Sequence, residues 1–255
     1  MTGGNRVSVG IASNGRPDSL ARCVASLMAI DEILDEVIVV DDGSDVPLEP
    51  LVRNALSAGE QAKLRVVRFN AREGLARARS EAVFRARSPL VLNLDDDAVV
   101  SSLDAVRRAR QKLADDATIV AVAFAQAQAD GNPWPAGAQP APVDYPCYVA
   151  SFIGFAHLVR RESFVALGGF RRQLLINGEE RELCLRALDA GLHVVYLPEA
   201  RIATFDQDGT AWVEQPMYTQ VTYCLERVPV LAASKPELKD VEPFKTVLSD
   251  RKSVV

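Results

Sequence analysis

Residues 90–97, Leu-Val-Leu-Asn-Leu-Asp-Asp-Asp, join a short apolar run to three consecutive carboxylates, and no other stretch constrains the fold as much. Leu90, Val91, Leu92 and Leu94 read as a buried strand. Asp95, Asp96 and Asp97 then fall at its carboxyl end, where open α/β sheets place their ligands. Adjacent carboxylates repel one another, and desolvating an ionised one without a partner is costly, so the cluster calls for a cation. Oxygen-only ligands suit Mg²⁺ or Mn²⁺ bridging to a phosphate. The alternative is that the three aspartates cap the following helix and sit in solvent.

The chain around this stretch alternates strand and helix. Residues 6–12 read as a first strand, broken by Ser13-Asn14-Gly15-Arg16-Pro17. Asp18 or Ser19 can cap a helix whose apolar positions Leu20, Val24, Leu27 and Met28 recur at helical spacing. Glu36–Val40 is a second buried strand, ending on Asp41-Asp42-Gly43-Ser44, and the connection predicts a right-handed parallel crossover. A helix over 48–58 leads to a strand over 64–69, and a basic helix with an alanine-rich face opens after Ala71. Three polar clusters, 13–16, 41–44 and 95–97, would then converge along one sheet edge, the geometry of a nucleotide pocket. By itself the Asp41–Ser44 cluster reads equally as a tight turn with an Asx cap.

The second half predicts a helix over 102–113, a strand over 119–125 and a further strand over 153–159. A helix over 161–167, a helix over 179–190 ended by Gly191, and a short strand over 193–197 stopped by Pro198 follow. Residues 130–146, with five prolines and two glycines, form a surface loop long enough to cover a substrate. From Asp206 onward the pattern weakens, and no linker separates two domains. The fold class expected is α/β: a Rossmann-like, mostly parallel central sheet flanked by helices in a single domain.

A net charge of −5 with 25% charged residues argues against a nucleic-acid-binding surface, which needs a clustered basic footprint. Cys23, Cys147, Cys184 and Cys224 form no CxxC pair and read as reduced thiols. No apolar run approaches the roughly 18–20 residues that span a bilayer, and no signal-peptide core is visible at the N-terminus. The expectation is a soluble, cytoplasmic protein without a transmembrane segment; peripheral membrane contact and a homodimer remain compatible with it.

The order of motifs resembles the inverting glycosyltransferases of family 2, with their GT-A fold, over roughly residues 6–200. The resemblance rests on Val7 through Pro17, Val39-Val40-Asp41-Asp42-Gly43-Ser44, Gly74 through Arg79, Leu94-Asp95-Asp96-Asp97, and Gly178 through Arg186. Each motif is weak alone; five in order are specific. The resemblance implies a donor-binding half over 1–100, an acceptor-binding half over 101–205 and an extension over 206–255. It implies that Ser13, Arg16, Asp41 and Asp42 hold the nucleotide, with Arg79 reaching the nucleotide or its diphosphate. It implies that Asp95 faces the ribose or sugar and shares a Mn²⁺ or Mg²⁺ with Asp97, with Asp96 between them. The donor would be a UDP-, dTDP- or GDP-sugar, and the acceptor a glycan, lipid-linked or small-molecule hydroxyl.

Glu179 and Glu180 stand where the family usually has Glu-Asp, the second position being the general base. Glu180 takes that role, one methylene longer than usual, and Glu179 stays an alternative; both could instead simply favour a helix N-terminus. Many relatives carry a metal-binding histidine shortly after the strand at 193–197, where this chain offers Asp206 or Asp208. His157 and His193 read as structural, and Trp134 and Trp212 as either packing residues or a sugar-stacking platform. Two other readings stay open. One is a nucleotidyltransferase of the same fold, although Ser13–Pro17 makes a poor triphosphate loop. The other is a non-catalytic nucleotide-sugar-binding protein.

Overall fold

The computed structural model describes residues 6–174 and 178–204. The expected extension over 206–255, with Asp206, Asp208, Trp212 and Cys224, lies outside them.

The first half is β1 (Val7–Ser13), α1 (Pro17–Ser26), β2 (Leu34–Asp41), α2 (Leu48–Ala55), α3 (Ala58–Lys63), β3 (Leu64–Arg68), α4 (Leu75–Arg85) and β4 (Leu90–Asp95). β1 and β2 are valine- and isoleucine-rich and buried nearly throughout, as strands covered on both faces must be. Their side chains alternate between two apolar layers. Val7, Val9, Ile11, Val37 and Val39 pack with α1, α2 and a later helix; Ala12, Ile38 and Val40 pack with α4. Where a single helix over 48–58 was expected, the chain forms two. Ser57 stops the first and caps the second, and the Glu60 carboxylate in turn accepts from the Ser57 amide at 2.6 Å.

The second half is β5 (Ala98–Val99), α5 (Leu103–Asp115), β6 (Ile119–Ala127), β7 (Cys147–Tyr148), β8 (Ala156–Arg160), α6 (Arg161–Ala166), α7 (Glu179–Asp189) and β9 (His193–Thr204). The strands build one sheet in the order β3-β2-β1-β4-β8-β6-β9-β5, with β7 also on β9. β3, β2, β1 and β4 are parallel, as are β6 and β9, while β8 runs antiparallel between β4 and β6. α5 covers the same face as α1 and α2, and α6 and α7 share the face of α4.

β2 and β6 each run about two to three residues longer than expected, and two strand boundaries depart further. β9 does not stop at Pro198 but runs on to Thr204. Its register on β6 jumps from Leu197 opposite Phe124 to Arg201 opposite Ala125, a bulge that takes Pro198 out of the ladder and spares it a missing N–H. β8 begins at Ala156 rather than 153, although the Phe155 carbonyl still accepts from the Asp95 amide at the end of β4 at 2.8 Å. α7 ends as expected, with Gly191 left-handed at φ 72° and the Leu192 amide reaching back to the Ala187 carbonyl at 2.8 Å.

Gly10 shows how closely α4 lies on the sheet. A Cβ there would stand 2.7 Å from the Ala82 Cβ and 2.8 Å from Asn93 Oδ1. No helix among the described residues is long and apolar enough to cross a membrane. Cys23, Cys147 and Cys184 are free thiols.

Candidate active site

Register brings the strand ends level. Ser13 pairs with Asp41 and Ala12 with Asp95, so the carboxyl ends of β1, β2 and β4 open on one crevice. β4 is the point where parallel pairing on one side meets antiparallel pairing on the other, so the crevice lies where the strand order changes character.

Two aspartates at the β2 end have their carboxylates turned into the protein. Asp41 is fully buried and accepts from the Ser44 amide at 2.9 Å, the Leu48 amide at 3.2 Å and Arg68 Nη1 at 2.6 Å. Burial would raise its pKa, but these donors outweigh burial and hold the carboxyl below its ordinary value. Asp42 accepts from the Glu73 amide at 2.7 Å and the Gly74 amide at 3.0 Å, and so fixes the loop that leads into α4. Gly43, at φ 70°, lets this turn lie directly against that loop, since a Cβ there would be 2.4 Å from the Ala71 carbonyl carbon.

The β1 loop supplies partners for two of the three consecutive aspartates. Ser13 Oγ donates to Asp96 Oδ2 at 2.5 Å, and Arg16 Nη2 pairs with Asp96 Oδ1 and Asp97 Oδ2, each at 2.5 Å. Burial pushes the Asp96 pKa up to about 6, against the pull of Ser13 and Arg16. Asp95 faces the other way, toward Arg79 on α4, with Nη2 to Oδ1 at 2.6 Å.

Arg79 is the buried hub of the second cluster. Its Nη1 lies 3.0 Å from Glu179 Oε1 and 3.1 Å from Glu180 Oε1, both in the first turn of α7. Gly178, left-handed at φ 96°, turns the chain into that helix. Burial would lower the Arg79 pKa, but three carboxylates raise it above its ordinary value, so the guanidinium stays charged. Glu180 responds oppositely. Burial and the neighbouring Glu179 charge, opposed by Arg79, bring its pKa up to about 7. Glu179 Oε2 and Arg79 Nε are buried without a hydrogen-bond partner among the described residues.

Beside this cluster lies His157, expected to be structural, held between Gly154 and Asn93, which no motif reading gave a role. His157 is fully buried on β8, edge-on to the rings of Phe152 and Phe170. Burial and the Arg79 charge drive its pKa down to about 3, so the ring is neutral. Nδ1 faces the Gly154 carbonyl at 3.2 Å, and Nε2 faces Asn93 Nδ2 at 3.2 Å. A carbonyl can only accept, so Nδ1 carries the proton and Nε2 accepts from the Asn93 amide. One sequence signal was available: Asn93 and His157 are polar residues inside apolar strands, and a buried polar group needs a partner.

Among the described residues no group of three or more His, Cys, Asp or Glu side chains stands ready to enclose a metal ion. The donor chemistry nevertheless fits a hard divalent cation. Five carboxylates, Asp95, Asp96, Asp97, Glu179 and Glu180, share two guanidiniums, Arg16 and Arg79. Mg²⁺ and Mn²⁺ are commonly held by one or two carboxylates plus substrate phosphate oxygens rather than by a protein cage.

A mixed α/β sheet with its charged side chains gathered at the switch from parallel to antiparallel pairing is the architecture of the GT-A fold. Residues 8–168 match the model of glycosyl transferase family 2, and the chain belongs to that family. It is 38% identical over 91 residues to the succinoglycan biosynthesis protein ExoU of Rhizobium meliloti (strain 1021), an alignment spanning 36% of this chain and 26% of that protein. Similar solved structures include the mannosyltransferase PcManGT from Pyrobaculum calidifontis in complex with GDP-Man and Mn²⁺. Its TM-score is 0.61 at 20% identity, over 96% of this chain and 68% of that one. GalNAc-T7 with UDP, GalNAc and Mn²⁺ gives a TM-score of 0.65 at 20% identity, over 80% of this chain and 44% of that one.

Proposed function

We propose that the protein is an inverting, metal-assisted glycosyltransferase. It moves a sugar from a UDP-, dTDP- or GDP-sugar onto a hydroxyl of a glycan, lipid-linked or small-molecule acceptor, in the cytoplasm. The observation that carries this reading is the pairing of two acidic clusters across one crevice, Asp96 and Asp97 with Arg16 on one side, Glu180 on Arg79 on the other. Residues 1–100 form the donor half and 101–205 the acceptor half.

Asp97, with Asp95, would hold a Mn²⁺ or Mg²⁺, which when bound neutralises the charge gathering on the departing diphosphate. Ser13 and Arg16 orient the nucleotide from the β1 loop. Asp41 and Asp42 serve the donor at one remove, by fixing the two loops that line its pocket. Arg79 serves as the counter-ion that holds Asp95 and the α7 carboxylates in one place.

Inversion requires one base on the face opposite the leaving group, taking the proton as the acceptor hydroxyl attacks the anomeric carbon. Glu180 is the better candidate than Glu179, because its side chain keeps 13% of its exposure against 2%. A pKa near 7 suits a base that must be ionised at neutral pH and still pull strongly on a proton.

The test is purified protein with Mn²⁺ or Mg²⁺ and a panel of UDP-, GDP- and dTDP-sugars, reading release of nucleoside diphosphate. Binding and metal-dependent release of one nucleotide are expected. No binding of any donor, with Asp97→Ala indistinguishable from wild type, would sink the reading.

A further inference from the structure

Residues 154–155 run past the carboxyl end of β4 as a strap and bring Gly154 against the base cluster. A Cβ on Gly154 would stand 2.1 Å from Glu180 Oε1, 2.4 Å from Arg79 Nη1 and 2.8 Å from Arg79 Cζ. Gly154 is not among the glycines with positive φ, so its backbone tolerates any residue and only the space demands glycine. The strap cannot step back to make room. His157 Nδ1 donates to the Gly154 carbonyl at 3.2 Å, and the next carbonyl, of Phe155, accepts from the Asp95 amide at 2.8 Å.

We propose that Gly154 is a positioning residue for the reaction: the notch it leaves lets the Glu180 carboxylate lie against Arg79 and face the acceptor. The proposal rests on the reading of Glu180 as the general base. The three atoms nearest such a methyl group are side-chain ends rather than backbone, one on Glu180 and two on the Arg79 guanidinium, so the carboxylate and the buried cation must both give way. Moving Glu180 Oε1 from 2.1 Å to an ordinary 3.4 Å contact displaces it by about 1.3 Å. A displacement of about 1 Å at a reacting group can cost about 100-fold in rate. Glutamate makes the notch necessary, because its longer arm carries the carboxylate out to the strap; aspartate at 180 would hold it back by about one bond length.

The test is a double-mutant cycle on the full chain: wild type, Gly154→Ala, Glu180→Asp and the pair, assayed with the nucleotide sugar the panel identifies. Gly154→Ala is expected to lower kcat by about 10- to 100-fold and to lower the melting temperature, with donor KM little changed. In the Glu180→Asp background the same substitution is expected to cost several-fold less than in wild type, the remaining loss coming from the push on Arg79, and a merely structural glycine would not show that coupling. Melting temperatures of the four proteins give the cycle a second readout, in which alanine should cost less beside aspartate. An equal loss in both backgrounds, or a Gly154→Ala enzyme with wild-type kcat, overturns the proposal. So does failure of both alanine proteins to fold, since the methyl would then strike the scaffold; failure with Glu180 alone supports it. Glu180→Gln separates this outcome from the parent reading. If that variant keeps wild-type turnover, the base assignment fails; if it is dead while Gly154→Ala is fully active, only the notch fails.

Discussion

Arg79 on α4 reaches Asp95 at the end of β4 through a 2.6 Å ion pair, and the same guanidinium carries Glu179 and Glu180 on its other nitrogen. One buried cation thus ties the carboxyl end of β4 to the first turn of α7. Replacing it by an apolar residue leaves three acidic groups without their common partner. Arg79→Leu is expected to lower unfolding free energy by about 3 to 5 kcal/mol at pH 8, measured by urea denaturation. The deficit should shrink toward pH 5, where carboxyl protonation relieves the repulsion.

Glu180→Gln keeps the size of the side chain and removes the proposed base. Under the proposed mechanism kcat falls by about 100- to 10,000-fold with donor affinity little changed. Wild-type kcat should climb with pH through about 7 and then level, because the base works deprotonated. Stability runs the other way. A carboxyl whose folded pKa lies above its ordinary value binds more protons folded than unfolded between the two values. Its contribution is complete below the ordinary 4.5 and is lost as pH rises through about 7. Glu180→Gln should therefore melt higher than wild type at pH 8 and close to it at pH 4.

Asp97→Ala should weaken nucleoside diphosphate binding in the presence of Mn²⁺ by roughly 100-fold, about 2.7 kcal/mol. Titration calorimetry with and without metal reads this directly. An unchanged metal dependence in the variant would remove Asp97 from the metal site.

Asp42→Ala removes a carboxylate that accepts from two successive amides, at a cost of about 1.5 to 3 kcal/mol. Hydrogen exchange at the Glu73 and Gly74 amides should accelerate. If Asp42 instead contacts the nucleotide, donor affinity falls while those two amides exchange at the wild-type rate.

Much of the frame was legible in the residues. The apolar runs of β1, β2 and β4 end on Ser13, Asp41 and Asp95, and period and punctuation alone predict that these ends converge. Other features were hidden because they depend on partners distant in sequence. Whether Asp41 points at a ligand or into its own turn is decided by Arg68 and the Leu48 amide, neither of which marks the Asp-Asp-Gly-Ser motif as inward-facing. The antiparallel insertion of β8 between β4 and β6 leaves no local sign, since a strand buried on both faces reads alike in either direction. Gly154 is invisible for the same reason: its neighbours Arg79 and Glu180 come from two other helices.

The ion pair between Arg79 and Glu179 joins residues 100 positions apart. A chain growing from its N-terminus completes β1 through β4 and encloses Arg79 with Asp95 long before α7 exists. Until α7 arrives the guanidinium has one of its three carboxylates, so the cluster is completed late in synthesis, with β9 alone of the named elements still to follow. Contacts of such long range slow folding. A fragment cut short before Gly178 would carry the aspartate triplet without Glu180, the proposed base.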